Sequence, residues 1–353
     1  MSCSDRNAYW NNETYPPDQA ALNGALLPAL LAYSVCGALA SVFNIICILT
    51  FVTKKELREK YLFFAVLAFA NLINTFFMCL AGTLRRKMIY SNQYMQLRSS
   101  FECLLQPGPH LQLPGGQLPA VVLLVIDIER LVAVYRPLFY KAYLNDRARI
   151  AIVGGCFGAA FISQLFGYLS SYMNRNTCVN AFCAVASTYG LSYSNYNSAI
   201  VILFPIIALI LNIFTYFGAK RLGQHANMKK EFKMILVAII ITGVDVLLIA
   251  CPNIVLFAAY NRLLSISGAN MAYLYVFFCC NSAINLFVYI FLKRDFRNHL
   301  LMSISFGSLR PNFRVTGEIT RNARLHSRRV APSNGLNTKM PKPTVSSMPN
   351  ILA

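Results

Sequence analysis

The sequence ALLPALLAYSVCGALASVFNIICILTFV occupies residues 25–52 and contains no Asp, Glu, Lys or Arg. A helix needs about 20 predominantly apolar residues to cross the hydrocarbon core of a bilayer, which is about 30 Å thick. The 28 residues of this run are therefore enough to cross a membrane as a tilted helix. The stretch predicts a transmembrane helix, and the same pattern recurs along the chain.

The composition of the whole chain agrees with this interpretation. Of its 353 residues, 56% are hydrophobic and only 13% are charged, whereas about 25% of the residues of a soluble globular protein are charged. The 25 Phe and 19 Tyr residues argue against a disordered chain and against one that wraps nucleic acid, despite the formal net charge of +19. A membrane protein with several spans is the class that remains, and no nucleic-acid partner is expected.

Six further segments complete a set of seven candidate spans. Membrane barrels would show alternating segments of roughly ten residues, whereas these runs are continuous and therefore predict helices. The predicted fold class is an all-α membrane protein, a seven-transmembrane helix bundle within residues 25–300. The third span is the shortest and carries Asp127, Glu129 and Arg130. The six segments are 61–84, 118–135, 150–172, 197–217, 234–259 and 269–292.

The distribution of Lys and Arg predicts the orientation of the bundle. With the N-terminus outside and the C-terminus inside, 25 of the 32 Lys and Arg residues fall on the inner side. Residues 1–24 are then an extracellular segment with a glycosylation sequon at Asn12. Residues 301–353 form a basic tail, which we expect to be disordered and attracted to an anionic inner leaflet. Its Ser and Thr residues are candidate kinase and arrestin sites.

The cysteines divide by their predicted location. Seven lie in spans and are interpreted as packing residues, whereas Cys3, Cys103, Cys178 and Cys183 lie on the predicted outer side, where disulfides form. Four cysteines allow three sets of pairings, and their spacing does not choose among them. No Cys or His pattern indicates a metal or cofactor site, and no catalytic grouping indicates an enzyme.

Three motifs carry a resemblance to a known family. The sequence IERLVAVYRPL at 128–138 resembles the Asp/Glu-Arg-Tyr motif of rhodopsin-like (class A) G-protein-coupled receptors. The sequence NLFVY at 285–289 is similar to that family's Asn-Pro-x-x-Tyr motif, with Leu286 in place of Pro. The sequence KRDFR at 293–297 resembles the start of its short amphipathic eighth helix. Among the branches of the family, the chain most resembles nematode chemosensory serpentine receptors of class SX.

The resemblance implies a plasma-membrane receptor that activates a heterotrimeric G protein. Arg130 would contact the G protein, and Glu129 would hold it at rest. An arginine whose head group reaches lipid phosphates is the structural alternative. The roles of two carboxyl groups stay open. Asp127 could compete with Glu129 for Arg130 or be protonated. Asp245 could form a polar latch to a buried Asn, sense protons, or be a neutral buried acid. The resemblance also implies a switch at Asn285 and Tyr289, a polar network of Asn44, Asn71, Asn281 and Asp245, and a disulfide of Cys103 with Cys178 or Cys183.

The ligand site follows only by analogy, in the outer half of the bundle. No acidic residue is predicted there, so an amine anchored by a carboxylate is not expected. A neutral or anionic small molecule, or a peptide, is the predicted ligand class. The candidate ligand-binding residues are Gln112, Gln117, Asn197, Asn253, Phe257 and Tyr275.

One stretch conflicts with a regular third span. The sequence QPGPHLQLPGGQLP at 106–119 contains four Pro and three Gly residues, and a Pro inside a helix costs about 3 kcal/mol. We therefore expect the helix to be unwound above Leu118, or the stretch to be an error of the gene model.

Two alternatives to a signalling receptor stay open: a seven-span transporter or channel, and a receptor-derived protein that no longer signals.

Overall fold

The computed structural model describes residue 3 and residues 17–222 and 228–304. Asn12 and the tail beyond residue 304 lie outside the described residues, so the predictions for them stay predictions. The described elements are α1 (Pro17–Thr53), α2 (Lys55–Lys60), α3 (Leu62–Tyr90), β1 (Leu97–Ser99), α4 (Ser100–Leu104), α5 (Pro107–Tyr135), α6 (Pro137–Tyr143), α7 (Asp146–Met173), β2 (Cys178–Asn180), α8 (Val185–Tyr189), α9 (Leu191–Leu222), α10 (Met228–Asp245), α11 (Cys251–Tyr260), α12 (Gly268–Leu292) and α13 (Arg294–Ile304).

Six of the long helical segments are apolar enough to cross a membrane, and the chain is a multi-pass membrane protein. The seventh predicted span lies in α5, which is not among these six and carries Asp127, Glu129 and Arg130. With 29 residues, α5 has the same length as α3, and it packs between α3 and α9 in the bundle. The six segments are Asn23–Thr53, Leu62–Tyr90, Asp146–Met173, Leu191–Arg221, Ile235–Tyr260 and Gly268–Leu292.

The expected unwinding above Leu118 was wrong, because α5 is one helix from Pro107 to Tyr135. Pro107 occupies the first turn, where its missing N–H has no partner within the helix. The glycines allow close packing: a Cβ added at Gly115 would lie 2.9 Å from Cα of Asn74 in α3. Packing of α5 against α3 therefore outweighs the unfavourable local propensity.

A wide helical turn separates α10 from α11. Residues Val246–Ala250 form a π-helical turn that begins directly after Asp245. Pro252 follows it and cannot donate a backbone hydrogen bond to the preceding turn. Such turns interrupt the regular hydrogen-bond ladder and re-aim the side chains around them, and they occur frequently at functional sites.

One end of the bundle is covered by a small sheet and closed by disulfides, and we call it the disulfide end. Strand β1 pairs antiparallel with β2, with Leu97 opposite Asn180. The bond between Cys103 and Cys183 joins α4 to the segment after β2, and a second bond joins Cys3 to Cys178. The structure thus selects Cys183, one of the two partners that the resemblance allowed for Cys103.

The opposite end carries Glu129 and Arg130, and we call it the arginine end. A cluster of buried aromatic rings holds α13 against the bundle there. The ring of Phe51 lies 4.9 Å from that of Phe296 and 5.3 Å from that of Tyr289. Phe64 of α3 is 5.7 Å from Tyr289. These contacts fix α13, the predicted eighth helix, to α1, α3 and α12.

Candidate functional site

The motif at 128–138 places two charged side chains at the arginine end of α5. The side chains of Glu129 and Arg130 are almost fully buried, with 5% and 9% of each residue exposed. Nη2 of Arg130 lies 3.6 Å from Oε2 of Glu129. Buried charges are stable only when they are paired, and each of these two side chains gives the other an opposite charge.

Two side chains that the sequence analysis missed hold the other oxygen of Glu129. The hydroxyl of Tyr140 in α6 donates to Oε1 of Glu129 at 2.9 Å, and Nη2 of Arg149 in α7 lies 3.2 Å from the same oxygen. Arg149 also donates to the hydroxyl of Tyr140 and to the carbonyl of Glu59. We call Glu129, Tyr140 and Arg149 the carboxylate latch. Burial, and then the charge of Glu129, raise the pKa of Tyr140 above its ordinary value, so its hydroxyl stays a donor at neutral pH.

The arginine end is closed between three helices. Val134 of α5, Ala219 of α9 and Ile235 of α10 pack in one buried apolar cluster. The hydroxyl of Tyr135 donates to the carbonyl of Phe214 at 3.1 Å and so joins α5 to α9. A protein that inserts at this end must first separate these helices.

The polar residues of the predicted network and switch are buried, and in the described part of the chain one hydrogen bond joins two of their side chains. Nδ2 of Asn281 in α12 donates to Oδ1 of Asp245 in α10. The amide of Asn44 instead bonds the carbonyl of Ala40 in its own helix. The side chains of Asn285 and Tyr289 are buried without a hydrogen-bond partner. Asn71 is buried as well, and its backbone carbonyl accepts a hydrogen bond from the hydroxyl of Thr75.

Asp127 lies one turn before Arg130 and is fully buried. Asn212 of α9 and Asp245 of α10 are among its polar neighbours. The amide of Asn212 also donates to the hydroxyl of Thr242, one turn before Asp245, at 3.1 Å. A polar path therefore leads from α5 through α9 to α10, and the sequence analysis did not predict the part played by Asn212 and Thr242.

A cavity opens in the bundle between the polar core and the disulfide end, with a volume of about 80 Å³. On this measure one water needs about 10–15 Å³, so the cavity has room for several waters or a small ligand. Gln117 is not in its lining but supports it, because its amide donates to Oδ1 of Asn197 at 2.9 Å. Phe257 is not part of the lining. Four of the six candidate ligand residues line it: Gln112, Asn197, Asn253 and Tyr275.

The sequence predicted no acidic residue in the ligand site, whereas Asp245 lines this cavity. Asp245 shares the cavity wall with Ile249 and Asn253, which follow it at intervals of four residues. Side chains at this spacing lie on one face of a helix. The packing of that face against α5, which the sequence does not show, brings Asp245 to the cavity.

No grouping for a metal ion is found in the described part of the chain, where no three His, Cys, Asp or Glu side chains lie together. The arrangement instead combines a cavity lined in part by α5 with two buried charged side chains, Glu129 and Arg130, at the far end of the same helix. A ligand in the cavity and a protein at the arginine end would both contact this helix, which is the geometry of a transmembrane receptor.

Comparison with known proteins supports this interpretation. No curated protein matches the chain. Residues 38–304 match the family described as serpentine type 7TM GPCR chemoreceptor Srsx. The match covers more than half of the chain and includes every element from α2 to α13. The resemblance to nematode chemosensory receptors is thereby confirmed, and the chain belongs to the serpentine type 7TM GPCR chemoreceptor family Srsx.

Proposed function

We propose that this chemoreceptor lies in the plasma membrane with its N-terminus outside, binds an extracellular small molecule or peptide, and activates a heterotrimeric G protein. The observation that carries the proposal is the position of α5, which contributes Gln112 to the cavity and Glu129 and Arg130 to the arginine end. One rigid helix thus connects a ligand site with a charged site that can meet a partner protein.

Activation requires two states whose populations the ligand shifts. In the described state, Arg130 is held beside Glu129 and the apolar cluster of Val134, Ala219 and Ile235 closes the arginine end. Ligand contacts with Asn253 of α11 would bias the π-helical turn, and α10 would swing away from α5. Arg130 would then be free to contact the G protein.

The arginine end is also suited to the inner leaflet. Lys54, just before α2, and Lys55, its first residue, are exposed, and they pair with Glu56 and Glu59. Lys60 is paired with Asp295 of α13 at 2.6 Å. Basic side chains beside a membrane attract anionic lipids by about 1 kcal/mol each. We propose that these lipids contact α2 and that arrestin is a further partner, through the tail beyond residue 304.

Energy transfer between G-protein subunits tests the proposal. The tagged chain is expressed in cultured cells, and subunit dissociation is recorded during exposure to pools of odorant-like molecules and peptides. Wild type is compared with Arg130→Ala at matched surface levels. The matched control is Arg147→Ala, which removes an exposed arginine near the same end of the bundle.

A response of wild type and Arg147→Ala that Arg130→Ala abolishes is the expected result. Ligand-evoked ion flux without G-protein dissociation would contradict the proposal and favour a channel or transporter. An unchanged response of Arg130→Ala would show that the arginine does not mediate coupling.

A further inference from the structure

The cavity described above has an uneven distribution of charge. Asp245 is the one formally charged side chain in its described lining, which includes no Lys, Arg or His. The other polar lining residues are neutral: Asn74, Gln112, Ser194, Asn197, Ser198, Asn253, Tyr260 and Tyr275. An anionic ligand would find no counter-charge here, whereas a cationic ligand would find one.

The partners of Asp245 leave its charge uncompensated. Only 5% of the residue is exposed, and the bond from the amide of Asn281 is a contact with a neutral donor. Arg130 and Arg149 are both gathered around Glu129 at the arginine end. Among the described residues, no ion pair involves Asp245. A buried carboxylate without a counter-ion is unfavourable by several kcal/mol.

A second feature of the lining also requires a hydrogen-bond donor. Oε1 of Gln112 is buried and has no partner, although α5 brings the residue to the cavity wall. An unpaired buried acceptor costs about 1–3 kcal/mol, and a donor on the ligand would remove this cost. The apolar part of the lining includes Phe77 and Phe278, which suit a small hydrocarbon or aromatic body.

We infer that the cavity selects small ligands that carry a protonated basic nitrogen, with Asp245 as the counter-ion. The protonated nitrogen would neutralise the carboxylate, which would then need neither a proton nor an inorganic cation. The apolar body of the ligand would lie against Phe77 and Phe278. This inference rests on the proposed function, since it assigns a ligand class to the same cavity. It replaces the neutral or anionic ligand that the sequence predicted.

Matched sets of probes that differ only in charge test the inference. One set is 2-phenylethylamine, 2-phenylethanol and phenylacetate, and another is hexylamine, hexanol and hexanoate. The full chain is purified in lipid nanodiscs, and the shift of its thermal midpoint is measured for each probe. This readout detects binding without requiring a G protein, so it separates the ligand class from the signalling activity.

At least one amine is expected to stabilise wild type more than its alcohol and its acid. The variant Asp245→Asn should weaken binding of that amine by about tenfold or more and leave its alcohol unaffected. Asp146→Asn, which removes an exposed carboxylate at the start of α7, is the control and should keep the preference for amines.

Two outcomes would overturn the inference. If no amine of the sets stabilises wild type more than its alcohol, the cavity does not select a basic nitrogen, and this comparison needs no variant to fold. If Asp245→Asn keeps the preference, the counter-ion is a different group. A neutral or acidic probe that evokes G-protein dissociation would support the receptor function while rejecting this ligand class.

Discussion

The carboxylate of Glu129 contacts two arginines, and the two contacts differ in length. Its Oε1 lies 3.2 Å from Arg149 and 2.9 Å from the hydroxyl of Tyr140, whereas its Oε2 lies 3.6 Å from Arg130. Tyr140 and Arg149 make the shorter contacts. They therefore compete with Arg130 for the carboxylate, and substitutions of Glu129 and of Arg149 should have opposite effects on signalling.

Loss of the carboxylate should activate the receptor. In Glu129→Gln, Arg130 loses the negative charge that holds it, so we expect G-protein dissociation without ligand to rise several-fold over wild type. The measurement is the energy-transfer signal at matched surface levels. Basal signalling equal to that of wild type would show that Glu129 does not restrain Arg130.

Loss of Arg149 should instead reduce signalling. In Arg149→Ala, Glu129 keeps Arg130 as its sole arginine partner among the described contacts, so basal and ligand-evoked dissociation should both fall. Arg147→Ala, two residues earlier and exposed, is the matched control and should signal as wild type does. An increase in basal signalling in Arg149→Ala would contradict the competition between the two arginines.

At the scale of elements, α5 is held against α3 by a close approach at one glycine. A Cβ at Gly115 would lie 2.9 Å from Cα and 3.1 Å from N of Asn74, whereas a Cβ at Gly116 would have Val201 as its nearest neighbour at 3.9 Å. Backbone atoms cannot move aside as a flexible side chain can. Two adjacent glycines in one helix therefore differ sharply in the space around them.

Gly115→Ala should destabilise the chain by about 1–3 kcal/mol, because α3 and α5 must move apart. Gly116→Ala should be neutral or stabilising by up to about 1 kcal/mol, because alanine favours the helix and fits the space. The thermal midpoints of both purified variants would be compared with wild type. Equal midpoints for the two variants would show that the α3–α5 approach is looser than described.

The contact of α13 with α1 should depend on pH. The ring of His299 lies 2.9 Å from the hydroxyl of Thr53, and burial, followed by the charge of Lys54, lowers the pKa of His299 below its ordinary value of 6.5. The folded state therefore favours the neutral ring. Its contribution to stability is complete above pH 6.5 and is lost as pH falls through the lower folded-state pKa.

We expect the thermal midpoint of wild type to fall between pH 7.5 and pH 5, and part of this fall to disappear in His299→Gln. The effect should be small because the side chain is only partly buried. A pH dependence that is identical in wild type and His299→Gln would exclude this contact as its source.

At the scale of the whole molecule, two disulfides hold the segments that cover the cavity end. Cys103 is fully buried, and its bond to Cys183 links α4 to the segment before α8. The bond between Cys3 and Cys178 ties a residue before α1 to β2. Each bond restricts the unfolded chain, and removal of a native disulfide typically costs about 2–5 kcal/mol.

Cys103→Ser should lower the thermal midpoint and the surface level of the receptor, because its partner Cys183 would also lose its anchor. Cys280→Ser is the matched control, since Cys280 is a free and exposed cysteine in α12 and should be replaceable without effect. Surface labelling and thermal unfolding of the purified chain measure both effects. Normal surface levels and stability of Cys103→Ser would contradict a structural role for this bond.

Sequence by itself determined the features that depend on local composition. Charge-free runs such as residues 25–52 predict spans because a helix satisfies its own backbone hydrogen bonds in lipid, whatever its neighbours are. The motifs around Arg130 and Asn285 likewise sufficed to indicate the receptor family. The orientation of the bundle rests on the distribution of Lys and Arg and stays a prediction.

Only the tertiary structure decided which distant residues meet. Local propensity predicted a break at 106–119, but the contact of Gly115 with Asn74 favours a continuous helix there. Spacing left the cysteine pairing open, and folding brought Cys103 to Cys183. Arg149 reaches Glu129, and Asp245 reaches the cavity, through the packing of helices against one another. Such contacts join residues far apart in the sequence, and local patterns carry no information about them.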